Sequence, residues 1–354
     1  MEFIKFDLEK KYIKEFINLA KKIYSKNENM EDEKEIVELL TNKHPLNKYF
    51  KLDKFLILKD KEVVGRFVIT TYSNDNKAYL GFFECIDDND VAKYLFDVAY
   101  KFAEENGFDT IVGPVDASFW IKYRLKINMF DKPPYTGEPY NKDYYLKLFQ
   151  NNDFKITEHY VSNLYKDVEY QYMNEKYTKR YNQFLEKGYK IITPKVEDFS
   201  KILEEMYFLL TSLYRDFPIY KDLELEDFLK TFESYKYIID MSMIKFAYFE
   251  DKMVGFFVSV PNYGNKVYHL NLRNIIKVLK FKKKPTEYVM LYMGVDKKHA
   301  GLGGALVYNI IKELKDNKAQ SIGALVRDGK VSQKYAEDLI ENKYEYVLLE
   351  RKVK

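Results

Sequence analysis

Three glycines stand close together near the C-terminal end of the chain, where their backbone could bind a phosphate group. They occupy positions 301, 303 and 304, within the run Lys298-His299-Ala300-Gly301-Leu302-Gly303-Gly304. Glycine permits a tight turn and leaves room for a ligand close to the backbone. If a helix starts at such a turn, its first amides have no partner within the helix and the helix dipole adds a positive potential. This arrangement favours a phosphate or a diphosphate as the ligand.

Regular elements on either side would position these glycines. An apolar run of strand length, Tyr288 to Val295, precedes them, and a second short run, Ile322 to Val326, follows them. Between the glycines and the second run, apolar residues recur at helical spacing, namely Leu306, Val307, Ile310, Ile311 and Leu314. The pattern predicts a strand, a glycine turn, a helix and a strand. A simpler interpretation stays open, in which the glycines only let the helix and the strand pack closely.

The composition limits the classes of protein to which the chain can belong. Its 354 residues suit two domains. The formal charge is +3, from 58 basic and 55 acidic residues, so we expect no nucleic-acid partner. One cysteine excludes an internal disulfide, and the four scattered histidines give no metal-ligand spacing, so we expect no metal. Because we find no signal-peptide core and no uncharged apolar span, we expect a cytoplasmic protein without a membrane span. The sequence does not indicate an oligomeric state.

The two halves of the chain share a sequence pattern. The residues Asp-Lys, followed by Val-Gly-x-Phe-Val, occur at 60–68 and again at 251–258, each time within a predicted hairpin. A strand, a helix and a short apolar strand follow each hairpin, which predicts an internal repeat of about 190 residues. We therefore expect a first domain at 1–165, a linker helix within 166–189 (Met173 to Leu185) and a second domain at 190–354.

The halves differ at the turn between strand and helix. The first half has Asp87-Asp88-Asn89-Asp90 there, with no glycine. These carboxylates would repel a diphosphate, although aspartate suits the start of a helix. The sequence therefore predicts that the first domain keeps the architecture without a cofactor loop.

Other phosphate loops fit the second half less well. A P-loop requires Lys followed by Ser or Thr, and a dinucleotide fingerprint requires a third glycine where Leu306 stands. The spacing Lys298-x-x-Gly301-x-Gly303 resembles the acyl-CoA loop of the Gcn5-related N-acetyltransferases (GNAT), [Arg/Gln]-x-x-Gly-x-[Gly/Ala]. The resemblance extends from about Lys190 to the end, with Lys in place of Arg or Gln. The first half is similar to the N-terminal region of tandem bacterial acetyltransferase-like proteins, at Val64-Gly65-Arg66, Gly81-Phe82-Phe83-Glu84, Asp87-Asp88, Gly113-Pro114-Val115 and Tyr144-Tyr145.

The resemblance implies a fold and a cofactor. We expect an α/β (α+β) protein of two tandem acyl-CoA N-acyltransferase domains, each a mixed, mostly antiparallel sheet flanked by helices. Acetyl-CoA, or another acyl-CoA, would be the co-substrate of the second domain. The central strand would present its backbone to the acyl carbonyl, and the glycine turn would bind the diphosphate. The implied cofactor-binding residues are Met293, Gly294, Val295, Lys298, His299, Ala300, Gly301, Leu302, Gly303 and Gly304.

The resemblance also directs attention to three candidate catalytic residues. In this superfamily a tyrosine on the last helix commonly protonates the leaving thiolate, but alignment places Leu339 at that position. Tyr335, one helical turn earlier, is the candidate replacement. Glu287 and Tyr292, near the central strand, are the candidates for the base that deprotonates the amine. A structural role stays open for each of the three.

The predicted function is transfer of an acetyl or other acyl group from acyl-CoA to a primary amine of a small molecule or peptide. Two alternatives stay open: an aminoacyl-tRNA-dependent peptidyl transferase of the tandem GNAT type, and a non-catalytic acyl-CoA sensor. A basic amphipathic insertion at 265–285 could guide the CoA phosphates, or could touch an acidic partner or a membrane surface. It could also be a solvated helix that packs on its apolar side.

Overall fold

The computed structural model describes residues 1–169, 172, 174–269 and 272–354. By its internal contacts the chain forms two compact units. Unit 1 comprises 1–134, 138–160 and 345–354, and unit 2 comprises 135–137 and 161–344. Among the described residues, no helix is both long and apolar enough to cross a lipid bilayer.

Unit 1 is a mostly antiparallel sheet flanked by helices. Its elements are β1 (Glu2–Phe6), α1 (Lys10–Ile23), α2 (Glu33–Leu40), β2 (Lys51–Lys59), β3 (Glu62–Thr71), β4 (Lys77–Cys85), α3 (Asn89–Glu105), β5 (Thr110–Gly113), β6 (Val115–Asp116), β7 (Lys122–Tyr123), β8 (Leu125–Lys126), α4 (Tyr145–Gln150) and the first part of β9 (Lys155–Tyr165). Strands β1 to β5 are neighbours in that order, and only β4 and β5 are parallel.

The aspartates of the first half serve the start of a helix. Asp88 is the N-cap of α3, and its side chain accepts hydrogen bonds from the backbone N–H groups of Asp90 and Val91. Helix α3 then buries Val91, Leu95 and Phe96 against the sheet. An N-terminus already capped by its own carboxylate offers no positive site to an anion.

Unit 2 repeats this plan. Its elements are the end of β9, α5 (Glu175–Glu186), β10 (Lys190–Ile192), α6 (Phe199–Tyr214), α7 (Leu225–Phe232), β11 (Ile244–Phe249), β12 (Lys252–Pro261), α8 (Leu272–Lys283), β13 (Glu287–Val295), α9 (Leu302–Asn317), β14 (Gln320–Arg327) and most of β15 (Ile340–Lys352). Strands β10 to β14 are neighbours in that order, and only β13 and β14 are parallel.

The predicted repeat is confirmed by irregularities that the two hairpins share. The β2–β3 turn has positive φ at Asp60 and Lys61, and the β11–β12 turn has it at Glu250 and Asp251. Close to each turn the pairing register shifts, between Ile57 and Leu58 and between Ala247 and Tyr248, so that the second strand of each hairpin carries one extra residue. Two ordinary hairpins would not be expected to share both a turn type and a bulge position.

The last strand passes from one unit to the other. Residues 345–354 belong to unit 1, where Leu349–Lys352 pair antiparallel with Gly113–Thr110 of β5. The two compact units therefore differ from the predicted domains 1–165 and 190–354. Unit 1 ends near residue 160 instead of 165, and it also includes residues 345–354, which were predicted to belong to the second domain. Where independently folding domains begin and end stays a prediction.

Two helix predictions differ from the structure. The linker helix runs from Glu175 to Glu186, while Met173 lies outside the described residues. The helix expected around Tyr335 is absent: residues 331–334 and 337–339 form short 3₁₀ turns, and Ala336 between them is left-handed with φ 48°. The backbone of Tyr335 is extended. The prediction that Tyr335 lies one helical turn before Leu339 was therefore wrong.

Candidate functional site

In unit 2, the two parallel strands of the sheet separate before they end. Strands β13 and β14 pair at Glu287–Gln320, Tyr288–Ser321, Val289–Ile322 and Met290–Gly323, and at no later residue. At the point of separation, β13 also shifts its register against β12, so that Leu291 is an extra residue. Among the described residues, no strand pairs with Met293 to Val295 on the edge of β13 that faced β14. A ligand could use the backbone groups of this free edge.

The N-terminus of α9 follows the end of β13 after one short 3₁₀ turn, Lys297–His299. Gly301 is its N-cap, exposed and left-handed with φ 95°, a conformation that favours glycine. The backbone N–H groups of Leu302 and Gly303 have no hydrogen-bond acceptor among the described residues. Such unpaired amides, together with the helix dipole, form the anion-binding end of a helix.

Three of the residues predicted for the site meet beside this helix start. A side chain added at Gly303 would overlap the hydroxyl of Tyr335, and its Cβ would lie 2.9 Å from Cε of Met293. Gly303 therefore lets the ends of these two side chains pack closely on the start of α9. The same contacts bring a phenol, the free strand and the helix N-terminus together.

Two further residues of this site lie on α5, which the sequence analysis treated only as a linker. Arg180 is exposed, and its Nη1 lies 3.4 Å from the position of a Cβ on Gly301. Tyr177 packs on Gly304, and its hydroxyl accepts a hydrogen bond of 2.7 Å from the backbone N–H of Ala336. Both follow Asn174, whose side chain caps α5. The sequence shows that Tyr177 and Arg180 lie on one predicted helix. It does not show that this helix packs against the glycines, because that contact joins distant segments.

The remaining predicted cofactor residues line the turn or support it. Gly294 is buried, and a Cβ there would lie 2.6 Å from Cδ1 of Leu213 in α6. Lys298 is exposed, and its N–H donates to the Asp296 carboxylate. His299 Nδ1 lies 2.6 Å from the Tyr189 hydroxyl, and the His299 ring also contacts the ring of Phe249. Val295 is half-buried, Ala300 is exposed and Leu302 is in the core.

The candidate bases lie on different parts of β13. Glu287 belongs to the paired end of the strand, where the Asn262 side chain donates to its carboxylate. Burial raises the pKa of Glu287, against the effect of the Asn262 hydrogen bond. Tyr292 lies beyond the last β13–β14 pair, next to Met293, and is half-buried. The structure thus brings Tyr292, but not Glu287, to the stretch where the strands have separated.

The corresponding place in unit 1 is filled by the chain itself. Strands β4 and β5 pair only at Lys77–Thr110, Ala78–Ile111 and Tyr79–Val112, and then separate. A Cβ on Gly81 would overlap the carbonyl oxygen of Val115 in β6, and the Asp116 carboxylate accepts the N–H of Phe82. Because β6 occupies the gap, the free edge seen in unit 2 is covered here.

Charged side chains are also buried in unit 1. The guanidinium of Arg66, fully buried, contacts the Glu31 carboxylate and lies 3.8 Å from that of Glu84. The Tyr145 hydroxyl donates to Glu84. Burial raises the pKa of Glu84 to about 7, against the opposing charge of Arg66. Arg66 is thus the cation that two buried carboxylates share.

Comparison with solved structures identifies the fold. A tandem GNAT protein from the clavulanic acid biosynthesis pathway, solved without acetyl-CoA, matches 100% of this chain with 98% of its own, at 10% identity and a TM-score of 0.55. A GNAT-family acetyltransferase from Colwellia psychrerythraea matches with 100% of both chains covered, at 10% identity and a TM-score of 0.50. The chain has the GNAT fold. A probable N-acyltransferase from Enterococcus faecalis is also similar, over 100% of this chain and 72% of its own, at 10% identity and a TM-score of 0.50.

The GNAT fold confirms the predicted fold class. No family model and no curated protein matches the chain in sequence comparisons. An identity of 10% establishes the fold alone, so the donor, the acceptor and the catalytic residues are matters for a proposal. In the described part of the chain, His, Cys, Asp and Glu side chains form no group that could hold a metal ion.

Proposed function

We propose that unit 2 is an N-acyltransferase that moves an acetyl or other acyl group from acyl-CoA to a primary amine of a small molecule or peptide. The observation that carries the proposal is the free edge of β13, which leads directly to the uncapped N-terminus of α9. The GNAT fold supports the proposed acyl transfer. In unit 1 the equivalent gap is filled by β6, so unit 1 would take no acyl-CoA.

The residues around Gly301 fit a diphosphate. Gly301 is exposed and its backbone is left-handed, so the turn is open to solvent at this residue. The backbone amides of Leu302 and Gly303 lack acceptors among the described residues. Arg180 forms no ion pair in the described structure, and its guanidinium lies beside this turn. Arginine supplies the planar, bidentate fork that Lys298 lacks. We propose that Arg180 and Lys298 neutralise the diphosphate together.

The chemistry would take place along the free strand. When bound, acyl-CoA supplies a thioester whose carbonyl carbon is attacked by a neutral amine. The backbone of Met293, Gly294 and Val295 would bind the carbonyl oxygen and orient the acyl group. A base must remove one proton from the attacking nitrogen, and Tyr292 is the predicted candidate nearest to this stretch. The nitrogen–carbon bond forms, the carbon–sulfur bond breaks and the sulfur receives a proton.

Tyr335 is the proposed proton donor. Burial, and then the neighbouring Tyr177, raises the pKa of Tyr335 above its ordinary value. The phenol therefore keeps its proton at neutral pH and can donate it, or a hydrogen bond, to a developing thiolate. Its hydroxyl already lies at the first turn of α9, beside Met293.

Ligand-induced stabilisation tests the binding proposal. Acetyl-CoA at about a hundred times its dissociation constant should add about 2.7 kcal/mol to the free energy of unfolding. Arg180→Glu should reduce that stabilisation strongly, since a carboxylate would stand beside the diphosphate. Lys179→Glu, an equal charge change at an exposed neighbouring position of α5, is the matched control. The measurement is the melting temperature with and without ligand, repeated with longer acyl-CoAs. Equal shifts in both variants would place the diphosphate elsewhere.

Removal of the Tyr335 hydroxyl tests the catalytic proposal. Tyr335→Phe should lower kcat by about a hundredfold or more, because general acid catalysis contributes on that scale, and should leave acetyl-CoA stabilisation intact. Release of free CoA thiol with a panel of amines measures the rate. Tyr308→Phe, a half-buried tyrosine on α9 stacked on Tyr181, is the control and should stay active. Stabilisation by acyl-CoA without transfer to any amine would contradict the transferase and favour a sensor.

A further inference from the structure

Helix α8 exposes an aliphatic surface that none of the described residues of its unit covers. Four large apolar side chains are exposed on it: Leu272 by 75%, Ile275 by 42%, Ile276 by 47% and Leu279 by 55%. At 3.6 residues per turn, these four positions fall within an arc of about 100°. The exposure is therefore a continuous strip along one side of the helix, not four isolated residues.

The opposite side of α8 holds it on the unit. Val278 is buried, and Phe281 and Asn274 are half-buried on the same side. The Asn274 side chain donates to the carbonyl of His269, and Lys282 Nζ donates to the carbonyl of Tyr237. These contacts fix the rotation of α8 about its own axis. The packing of α8 therefore turns the aliphatic strip toward solvent.

The charged side chains of α8 itself are all positive. Arg273, Lys277, Lys280 and Lys283 are exposed, and at helical spacing they follow the strip along one flank, from its edge outward. No Asp or Glu occurs from Leu272 to Thr286. One exposed surface therefore combines aliphatic side chains with cations, whereas a solvated helix would direct its aliphatic side chains inward.

We propose that α8 docks unit 2 on an anionic lipid surface. A helix that lies in the membrane interface places its apolar side chains among the acyl chains and its Lys and Arg beside anionic headgroups. The strip on α8 is a convex ridge of aliphatic side chains, a shape suited to insertion into a fluid surface. Its uninterrupted positive flank is complementary to a negatively charged leaflet. This interaction is independent of acyl transfer by the free edge of β13.

Vesicle co-sedimentation of the full chain tests the proposal. Vesicles of phosphatidylglycerol and phosphatidylcholine should bind the protein, and vesicles of phosphatidylcholine alone should bind it at least about tenfold more weakly, because each Lys or Arg near an anionic surface adds to the attraction. Raising the salt concentration should weaken binding to the anionic vesicles.

Two sets of variants separate the contributions. Ile275→Ser/Ile276→Ser/Leu279→Ser removes the exposed aliphatic strip, and Lys277→Glu/Lys280→Glu reverses part of the flank. Each should weaken binding at least about tenfold without lowering the melting temperature, since these side chains are exposed. The matched controls are Val196→Ser/Phe208→Ser and Lys201→Glu/Lys312→Glu, exposed positions elsewhere in unit 2, and they should bind as the parent does.

Three results would overturn the proposal. The first is no binding to anionic vesicles, and the second is equal binding to neutral and anionic vesicles. The third is binding to an acidic polypeptide such as polyglutamate without binding to vesicles, which would make α8 a docking helix for an acidic protein.

Discussion

Arg66→Met should destabilise unit 1 by about 3–5 kcal/mol, because removing one partner of a buried ion pair leaves the other charges uncompensated. Arg66 is fully buried between the Glu31 and Glu84 carboxylates, and methionine would preserve most of its volume. The measurement is denaturant-induced unfolding of the parent and the variant. Lys77→Met, which removes a pair with Glu350 that is partly exposed, should cost less than about 1 kcal/mol.

The pH dependence of this loss distinguishes charge from packing. The pKa of Glu84 is already raised to about 7 in the folded protein, above its unfolded value, so between these values the folded state binds more protons than the unfolded state. Without Arg66 the folded pKa of Glu84 should rise further. Protonation then relieves the buried charges as the pH falls, so the loss of stability should be smaller at pH 5 than at pH 8. A loss that is the same at both pH values would show that packing, not charge, dominates.

Gly81→Ala should lower the free energy of unfolding of unit 1 by about 3 kcal/mol or more. This loss is at or above the upper end of what overpacking a protein core typically costs. The added Cβ would overlap the carbonyl oxygen of Val115, which is backbone and cannot rotate away. Relief requires moving β6, and with it the Asp116 carboxylate that accepts the N–H of Phe82. The change would thus open the gap between β4 and β5 that the chain now fills.

Gly107→Ala is the matched control for this change. Gly107 has a φ of 77° and no atom within 4 Å of the Cβ position, so alanine there meets only backbone strain of about 1–2 kcal/mol. Denaturant unfolding of both variants gives the comparison, and proteolysis near Val115 reports whether β6 has moved. If both variants lose the same stability, the contact between Gly81 and β6 is not what closes the gap.

Local sequence patterns predicted much of the fold. Alternating and helical apolar spacing located β13, α9 and β14, and the shared Val-Gly-x-Phe-Val located the two hairpins, although not their bulges. The Asp87–Asp90 turn was interpreted as a helix start without a phosphate site, and Asp88 is indeed the cap of α3. In each case the signal lies within about ten residues, so it does not depend on tertiary contacts.

The site was harder to predict, because its parts come from distant segments. Nothing in the sequence places Arg180 beside Gly301, or the Tyr335 hydroxyl on Gly303, since these contacts join α5, α9 and the turns after β14. The helix expected around Tyr335 was wrong for a related reason: the left-handed Ala336 interrupts it, and its N–H is bonded to Tyr177 from α5. The catalytic roles of Tyr335, Glu287 and Tyr292 stay predictions.

The passage of the last strand into unit 1 has a consequence for biosynthesis. Among the described residues, the antiparallel partner of Thr110–Gly113 is Leu349–Lys352, which the ribosome adds more than two hundred residues later. While the nascent chain is still growing, the edge of β5 stays unpaired and available to chaperones or to other strands. The N-terminal unit, although synthesised first, should therefore be completed last.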